Sequence, residues 1–186
     1  MSESTASRWY ARIDGDNRLL WRMNRSRLDA ETFRDALLLA AGRLDRTMGG
    51  PSVEHFHFKD DHSPVYDYTR GDPDLRRRTV YRFIVRSVPD PFIDALDGAD
   101  ASILTPKRNT TLTALQSLAT LNDPFVLRQC EHLAARAKTV AGAVRLTLGR
   151  APSPPEDKAL SEYAARHGLA NVCRLLVNSN EFWFVD

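Results

Sequence analysis

From Thr111 onward the chain is divided by helix start and stop signals, and this punctuation limits the fold more than any other feature. Asp123-Pro124 and Ser153-Pro154-Pro155-Glu156 each set a capping side chain ahead of a proline, whose missing N–H is harmless only in the first turn of a helix. Gly149 and the His167-Gly168 pair supply the backbone freedom with which helices end. Between these marks apolar residues recur at helical spacing. The runs are Leu112, Leu115, Leu118 and Ala119, then Phe125, Val126, Cys130, Leu133 and Ala134, and later Leu160, Tyr163 and Ala164. Further helices are predicted over 139–148 and 170–177. Each run predicts an amphipathic helix with its stripe turned to a core. The apolar end, Phe182-Trp183-Phe184-Val185, predicts a terminus that packs.

The first half is less regular. Asp29 is a candidate N-cap, Glu31 suits the positive first turn, and Phe33, Ala36, Leu37, Ala40, Ala41 and Leu44 share one helical face. That helix has to stop by Met48-Gly49-Gly50-Pro51. No period runs through 52–78, a long irregular excursion of the kind that usually carries function. Thr79 to Val85, rich in β-branched and aromatic residues, predicts a strand stopped by Pro89 and Pro91, with one helical turn from Pro91 to Leu96. Residues 1–16, ending in the turn-like Asp14-Gly15-Asp16, read as a loose lead-in, and 17–186 as a single helical domain. The fold class is therefore mainly α, an irregular multi-helix assembly with at most one or two short strands. A chain of 186 residues can bury a core of this kind without disulfides or a metal.

Composition removes several functions. No stretch approaches the roughly 18 uninterrupted apolar residues of a membrane helix, so no membrane span is expected. The 26 basic side chains are nearly balanced by 24 acidic ones and are scattered through every segment. A nucleic-acid binder instead gathers its cations on one face, so no nucleic-acid partner is expected. Cys130 and Cys173 lie in apolar helical runs, where a small buried thiol is the usual reading. Met1 to Ser7 lacks the basic start and apolar run of a signal peptide.

Chemistry-bearing motifs are few. His55, His57 and His62 fall within eight residues, beside Asp60 and Asp61. An extended chain puts i and i+2 on one face, so His55 and His57 could offer two imidazoles to a zinc-like ion, with His62 a third candidate. The alternative is a set of solvated loop histidines. Arg76, Arg77 and Arg78 could grip a carboxylate, sulfate or phosphate through forked guanidinium contacts, with Thr79 and Tyr81 adding hydroxyls. The alternative is a solvated charge run before the strand. No G-x-S-x-G surrounds a serine, and Cys130 and His132 at i and i+2 on a helix point apart. Gly49-Gly50 lacks the lysine and helix start of a phosphate loop, and C-x-x-C-H, needed for haem c attachment, is absent. Nothing in the spacing of Asp and Glu selects a hydrolytic pair. Asn24-Arg25-Ser26 and Asn109-Thr110-Thr111 match the glycosylation pattern, which matters only in a eukaryotic secretory route.

Several segments taken in order carry a resemblance. They are Asn17-Arg18-Leu19-Leu20-Trp21-Arg22, Arg27-Leu28-Asp29-Ala30-Glu31, Arg34-Asp35-Ala36-Leu37, Gly49-Gly50-Pro51-Ser52 and Arg77-Arg78-Thr79-Val80-Tyr81. Leu96-Asp97 with Asp100, Gln116, Leu121-Asn122-Asp123, Phe125-Val126, Leu148-Gly149-Arg150 and Asn178-Ser179-Asn180-Glu181-Phe182 follow. The chain resembles the C-terminal PSD domain of the planctomycete cytochrome C proteins, across nearly all of it from Asn17. Members of that family begin with an export signal and a haem-bearing cytochrome module, then a second domain, then PSD. The resemblance thus implies a truncated member, a periplasmic or exported setting, and a haem c held only by an upstream module, with no cofactor in this chain. It implies upstream domains of a parent protein as partners, and a link to polysaccharide breakdown. It supplies no catalytic residues. The expected role is a non-catalytic structural or interaction module. The alternative is part of a hydrolase or oxidoreductase active site completed by the upstream domains.

Overall fold

The computed structural model describes residues 5–54, 56–58, 64–66, 76–86 and 88–185. A four-helix group forms the body: α5 (Pro124–Ala137), α6 (Val140–Leu148), α7 (Pro154–His167) and α8 (Leu169–Val177). The last of these lies against each of the other three and is almost wholly apolar on its inner face, where Val172, Cys173, Leu176 and Val177 are buried. The first of them contributes Phe125, Val126, Cys130 and Leu133, the stripe expected from spacing. The caps stand where the sequence put them. Asp123 Oδ1 accepts from Phe125 N at 2.8 Å, Glu156 Oε2 accepts from Ser153 N at 3.1 Å, and Gly149 closes α6 at φ 70°.

Helix α2 (Ala30–Ala40) packs across α5 and α6, with Phe33, Leu37 and Leu38 at no exposure. Its N-cap is Asp29, whose Oδ1 accepts from Thr32 N at 2.7 Å. The helix is shorter than the stripe to Leu44 suggests. Gly42 turns the chain at φ 71°, and Arg136 of α5 donates to the carbonyls of Leu39 at 2.9 Å and Ala40 at 2.8 Å. A neighbouring helix therefore ends α2 by satisfying its last carbonyls. Leu44 still packs against the core, from outside the helix.

The C-terminus packs as expected. Trp183 stacks on Phe33 with centroids 4.1 Å apart, and Phe182 meets Phe33 edge-on at 5.7 Å. Both belong to, or adjoin the end of, α9 (Asn180–Trp183). Strand β4 (Phe184–Val185) then pairs antiparallel with β1 (Ser26–Arg27), and Leu28 N donates to Trp183 O at 2.8 Å. The end of the chain is thereby sewn to the segment that opens α2.

Three expectations change. The lead-in holds a helix, α1 (Thr5–Ile13), followed by a turn in which the Asp14 carboxylate accepts from Arg18 N and Leu19 N and its carbonyl accepts from Trp21 Nε1. Tyr10 on that helix stacks with Trp21 at 5.9 Å, a pairing that sequence periodicity did not register. Within the irregular excursion, β2 (Phe56–Phe58) and β3 (Pro64–Tyr66) form an antiparallel pair. Thr79 to Val85 is not a strand: Thr79–Tyr81 is a 3₁₀ turn, and only an isolated parallel bridge joins Arg82 to Val53. Asp35 takes the Thr79 N–H at 2.8 Å and its hydroxyl at 2.6 Å, so the strand's first residue is bound to α2. The remaining elements are α3 (Pro91–Ala95), which stands where a helical turn from Pro91 to Leu96 is expected and is capped by Asp90, and α4 (Ala114–Asn122). Among the described residues no helix is long and apolar enough to cross a membrane. Mainly α and irregular describes the fold.

Candidate functional site

Helix α4 is set inside out relative to its sequence. Thr113 and Gln116 form a capping box at its start. That box and the Asp97 site behind it draw Gln116 inward, where Nε2 donates to Asp97 Oδ2 and Thr111 Oγ1, each at 2.9 Å. One turn later Thr120 is also buried, its hydroxyl 2.6 Å from Asn178 Oδ1. Two leucines of the helix consequently face out, Leu115 at 66% exposed and Leu118 at 56%, and Leu112, just ahead of the cap, is 74% exposed. The nine residues of α4 carry no charge, in a chain that is 27% charged. Beside this face a hollow of about 310 Å³ opens between α4 and the C-terminal segment, lined by Leu112, Ser117, Asn180, Trp183 and Phe184.

Arg27 lies at the back of that hollow. Its side chain is 6% exposed, its guanidinium carbon sits 4.6 Å over the Trp183 ring, and Nη1 donates to Thr111 O and, at 3.4 Å, to Asp97 Oδ2. Burial raises the Asp97 carboxyl's pKa, but the amide and hydroxyl of Thr111, then Gln116 and Arg27, outweigh it, and Asp97 titrates below the usual carboxylate value. Asp97 adopts φ 61° to gather these donors. Its contacts are a structural knot that fixes the α3–α4 connection against β1.

A larger cleft, about 600 Å³, lies beside α3. One wall is the segment 82–86, the other is α3 and the loop 98–102, and Glu31 and Arg108 also line it. Two ion pairs brace it. Arg82 pairs with Asp90, both nearly buried, and Arg108 grips Glu31 with two bonds of 2.6 and 2.8 Å. Arg86 crosses the cleft to donate from Nε to Ala101 O at 3.1 Å. Asp94 and Asp100 are exposed and meet no cationic side chain among the described residues.

Of the residues singled out by sequence, His55 and His62 lie outside the described residues, and His57 is described only as a backbone position in β2, opposite Val65. Among the described residues no group of three metal-ligating side chains comes together. The arginine run splits by role. Arg77 is buried, its Nη2 donating to Gly49 O at 2.5 Å and Thr47 O at 3.3 Å, its Nη1 to Pro51 O at 3.0 Å, and its carbon stacked 4.0 Å over Tyr81. It organises the Gly49-Gly50-Pro51 turn. Arg76 is half-buried with its carbonyl accepting from Asp45 N, while Arg78 is exposed. Cys130 and Cys173 are fully buried, and burial pushes each thiol up to about 12. Thiols at that value are protonated at neutral pH and make poor nucleophiles. His132 titrates low, through burial first and then Arg43 and Arg128.

The sequence model of the family described as PSD1, Protein of unknown function (DUF1553), matches residues 1–164. The chain belongs to this family. No curated protein and no solved structure matches it. The match ends within α7, yet residues beyond it, Cys173, Val177, Phe182 and Trp183, complete the core of this PSD1 chain. Several PSD1-like motif residues have structural duties. Asn17 is buried at φ 55°, accepting from Arg22 N and donating to Arg22 O and Asn24 Oδ1. Arg150 holds Glu156 and Glu181 at once, at 2.6–3.0 Å, and so ties the α6–α7 turn to α9. Asn178 joins α8 to α4 through Thr120.

The signal that sequence reading missed at α4 was small and available. Gln116 and Thr120 lie four apart on the face opposite the leucines. With a Thr113 cap present, a Gln at the third helical position has a bonding reason to turn inward.

Proposed function

We propose that this chain is a non-catalytic interaction module of a larger extracytoplasmic, cytochrome-containing protein, which docks against another domain of that protein through the leucine face of α4. The carrying observation is the inversion of that helix: Gln116 and Thr120 inside and hydrogen-bonded, Leu115 and Leu118 outside, with Leu112 exposed just ahead of it. Leaving leucines in water while burying amide and hydroxyl groups wastes about 1.5–3 kcal/mol per leucine unless a partner covers them. The absence of charge on α4 favours an apolar partner surface over an electrostatically steered one. The resemblance to PSD domains of planctomycete cytochrome C proteins supports a neighbouring domain as that surface. The haem would belong to the cytochrome module, and a link to polysaccharide breakdown would be a property of the whole protein.

The test mixes the chain, wild type or Leu115→Glu/Leu118→Glu, with the separately produced domains that precede PSD in a family member. The wild type co-elutes with them and the variant binds at least about tenfold more weakly, a difference of ~1.4 kcal/mol. Equal retention of both proteins, or retention of neither, defeats the docking reading. Turnover of a polysaccharide or sugar ester by the isolated chain defeats the non-catalytic one.

A further inference from the structure

The β-prone run 79–85 has, among the described residues, no strand beside its outer edge. Extended residues send their N–H and C=O to alternate edges. Tyr81 O accepts from Val53 N and Phe83 N donates to Val53 O, both at 2.8 Å, so those groups face Val53. Arg82 leaves the 3₁₀ turn extended, at φ −68° and ψ 136°. Ile84, two residues on from Arg82, by that alternation presents its N–H and C=O away from Val53, and among the described residues neither has a hydrogen-bond partner. Ile84 is 65% exposed and lines the 600 Å³ cleft together with Val85.

The groups lining the cleft fit one class of occupant. A free backbone N–H and C=O on one edge are matched together by another extended backbone, and Ile84, Val85, Pro89 and Ile93 supply apolar contacts. The volume lies inside the ~300–1,000 Å³ range of recognition clefts. The charged lining comprises Glu31, Asp90, Asp94 and Asp100 against Arg82, Arg86 and Arg108, an acidic surplus. Glu31 and Asp90 are already paired, which leaves Asp94 and Asp100 to receive an incoming cation. The Ser102 hydroxyl and then its amide hold Asp100 below the ordinary carboxylate value, so it is ionised at neutral pH.

From this edge and this charge we infer that the cleft binds an extended peptide segment, which adds as a strand along Ile84 and places a lysine or arginine between Asp94 and Asp100. This site is separate from the α4 face and does not depend on the reading given for it.

The test uses the whole ¹⁵N-labelled chain and a set of heptapeptides of alternating valine and threonine, with one arginine moved through every position. Members with arginine in the matching register shift the Ile84 and Val85 amide signals. N-methylation of the backbone on one alternate set of residues weakens binding at least about tenfold, while methylation of the other set leaves it unchanged. Asp94→Asn/Asp100→Asn lowers affinity for the arginine peptides by about tenfold at low salt, and less at high salt. The inference is overturned if no peptide moves the Ile84 amide at about 1 mM, the weak end of specific recognition. It is equally overturned if both methylated peptides bind like the parent, or if exchanging arginine for glutamate in the peptide leaves binding unchanged.

Discussion

Replacing Arg34 by alanine should be among the most damaging single changes in the molecule. Arg34 is 1% exposed in the middle of α2, with its guanidinium carbon 5.2 Å over the Phe125 ring. Its Nη1 donates to Arg77 O at 3.0 Å and Thr79 Oγ1 at 3.2 Å, and lies 3.5 Å from Asp35 Oδ1. Thr79 relays the contact, donating its hydroxyl to Asp35 at 2.6 Å. Truncation strips a buried carbonyl and a hydroxyl of their charged donor, leaves Asp35 without its cation, and opens a cavity. Hydrogen bonds to a charged group contribute roughly 1.5–3 kcal/mol each, and breaking a buried ionic cluster from one side costs ~3–5 kcal/mol. These effects overlap, so the expected total is about 3–5 kcal/mol. With a urea slope of about 2 kcal/mol/M, the midpoint falls by ~1.5–2.5 M, read by circular dichroism. Thr79→Val then tests the mechanism. Its cost in the wild type should shrink by about 1–3 kcal/mol in an Arg34→Met background, because both changes remove the same contact. A midpoint shift under about 0.5 M for Arg34→Ala, or fully additive costs in the cycle, would falsify the account of Arg34 as the pin that holds 77–82 on α2.

Two further perturbations separate the local geometry from general helix chemistry. Gly142→Ala within α6 should destabilise by about 1–3 kcal/mol although alanine is the better helix former, since a Cβ there would lie 2.4 Å from Ala137 O; a raised melting temperature would contradict it. The Arg150 clamp should appear in the acid limb of stability. The Arg150 hydrogen bonds hold Glu181 and Glu156 below their ordinary value of 4.5, so the unfolded chain binds protons first. Their contribution is complete above pH 4.5 and is lost as pH falls below it. The three side chains are 27–40% exposed, which limits the effect to about 1 kcal/mol after screening. Melting temperatures of wild type and Arg150→Met should differ at pH 7 and converge toward pH 3, with added salt narrowing the gap.

The sequence by itself determined the helices whose ends are local chemistry. Asp29, Asp123, Thr139, Gly149 and Ser153-Pro154-Pro155-Glu156 mark their positions through hydrogen bonds and backbone angles within a few residues. The buried stripe of α5 and the packed Phe182-Trp183 end followed from apolar spacing, because those faces have only the core to meet. Tertiary structure decided the rest. Thr79 to Val85 has strand composition, yet Asp35 and Arg34, more than forty residues away, bind its start and Val53 offers a single bridge. Arg136 ends α2 from another helix, and Arg77 turns from an apparent anion ligand into the centre of a turn by meeting three carbonyls. Helix α4 marks the division most clearly. Periodicity gave its apolar stripe correctly, but a stripe has no address. Thr111 lies five residues from Gln116, but Asp97 and Asn178, 19 and 58 residues from the side chains they bond, complete the set that holds Gln116 and Thr120 inward and turns the leucines out.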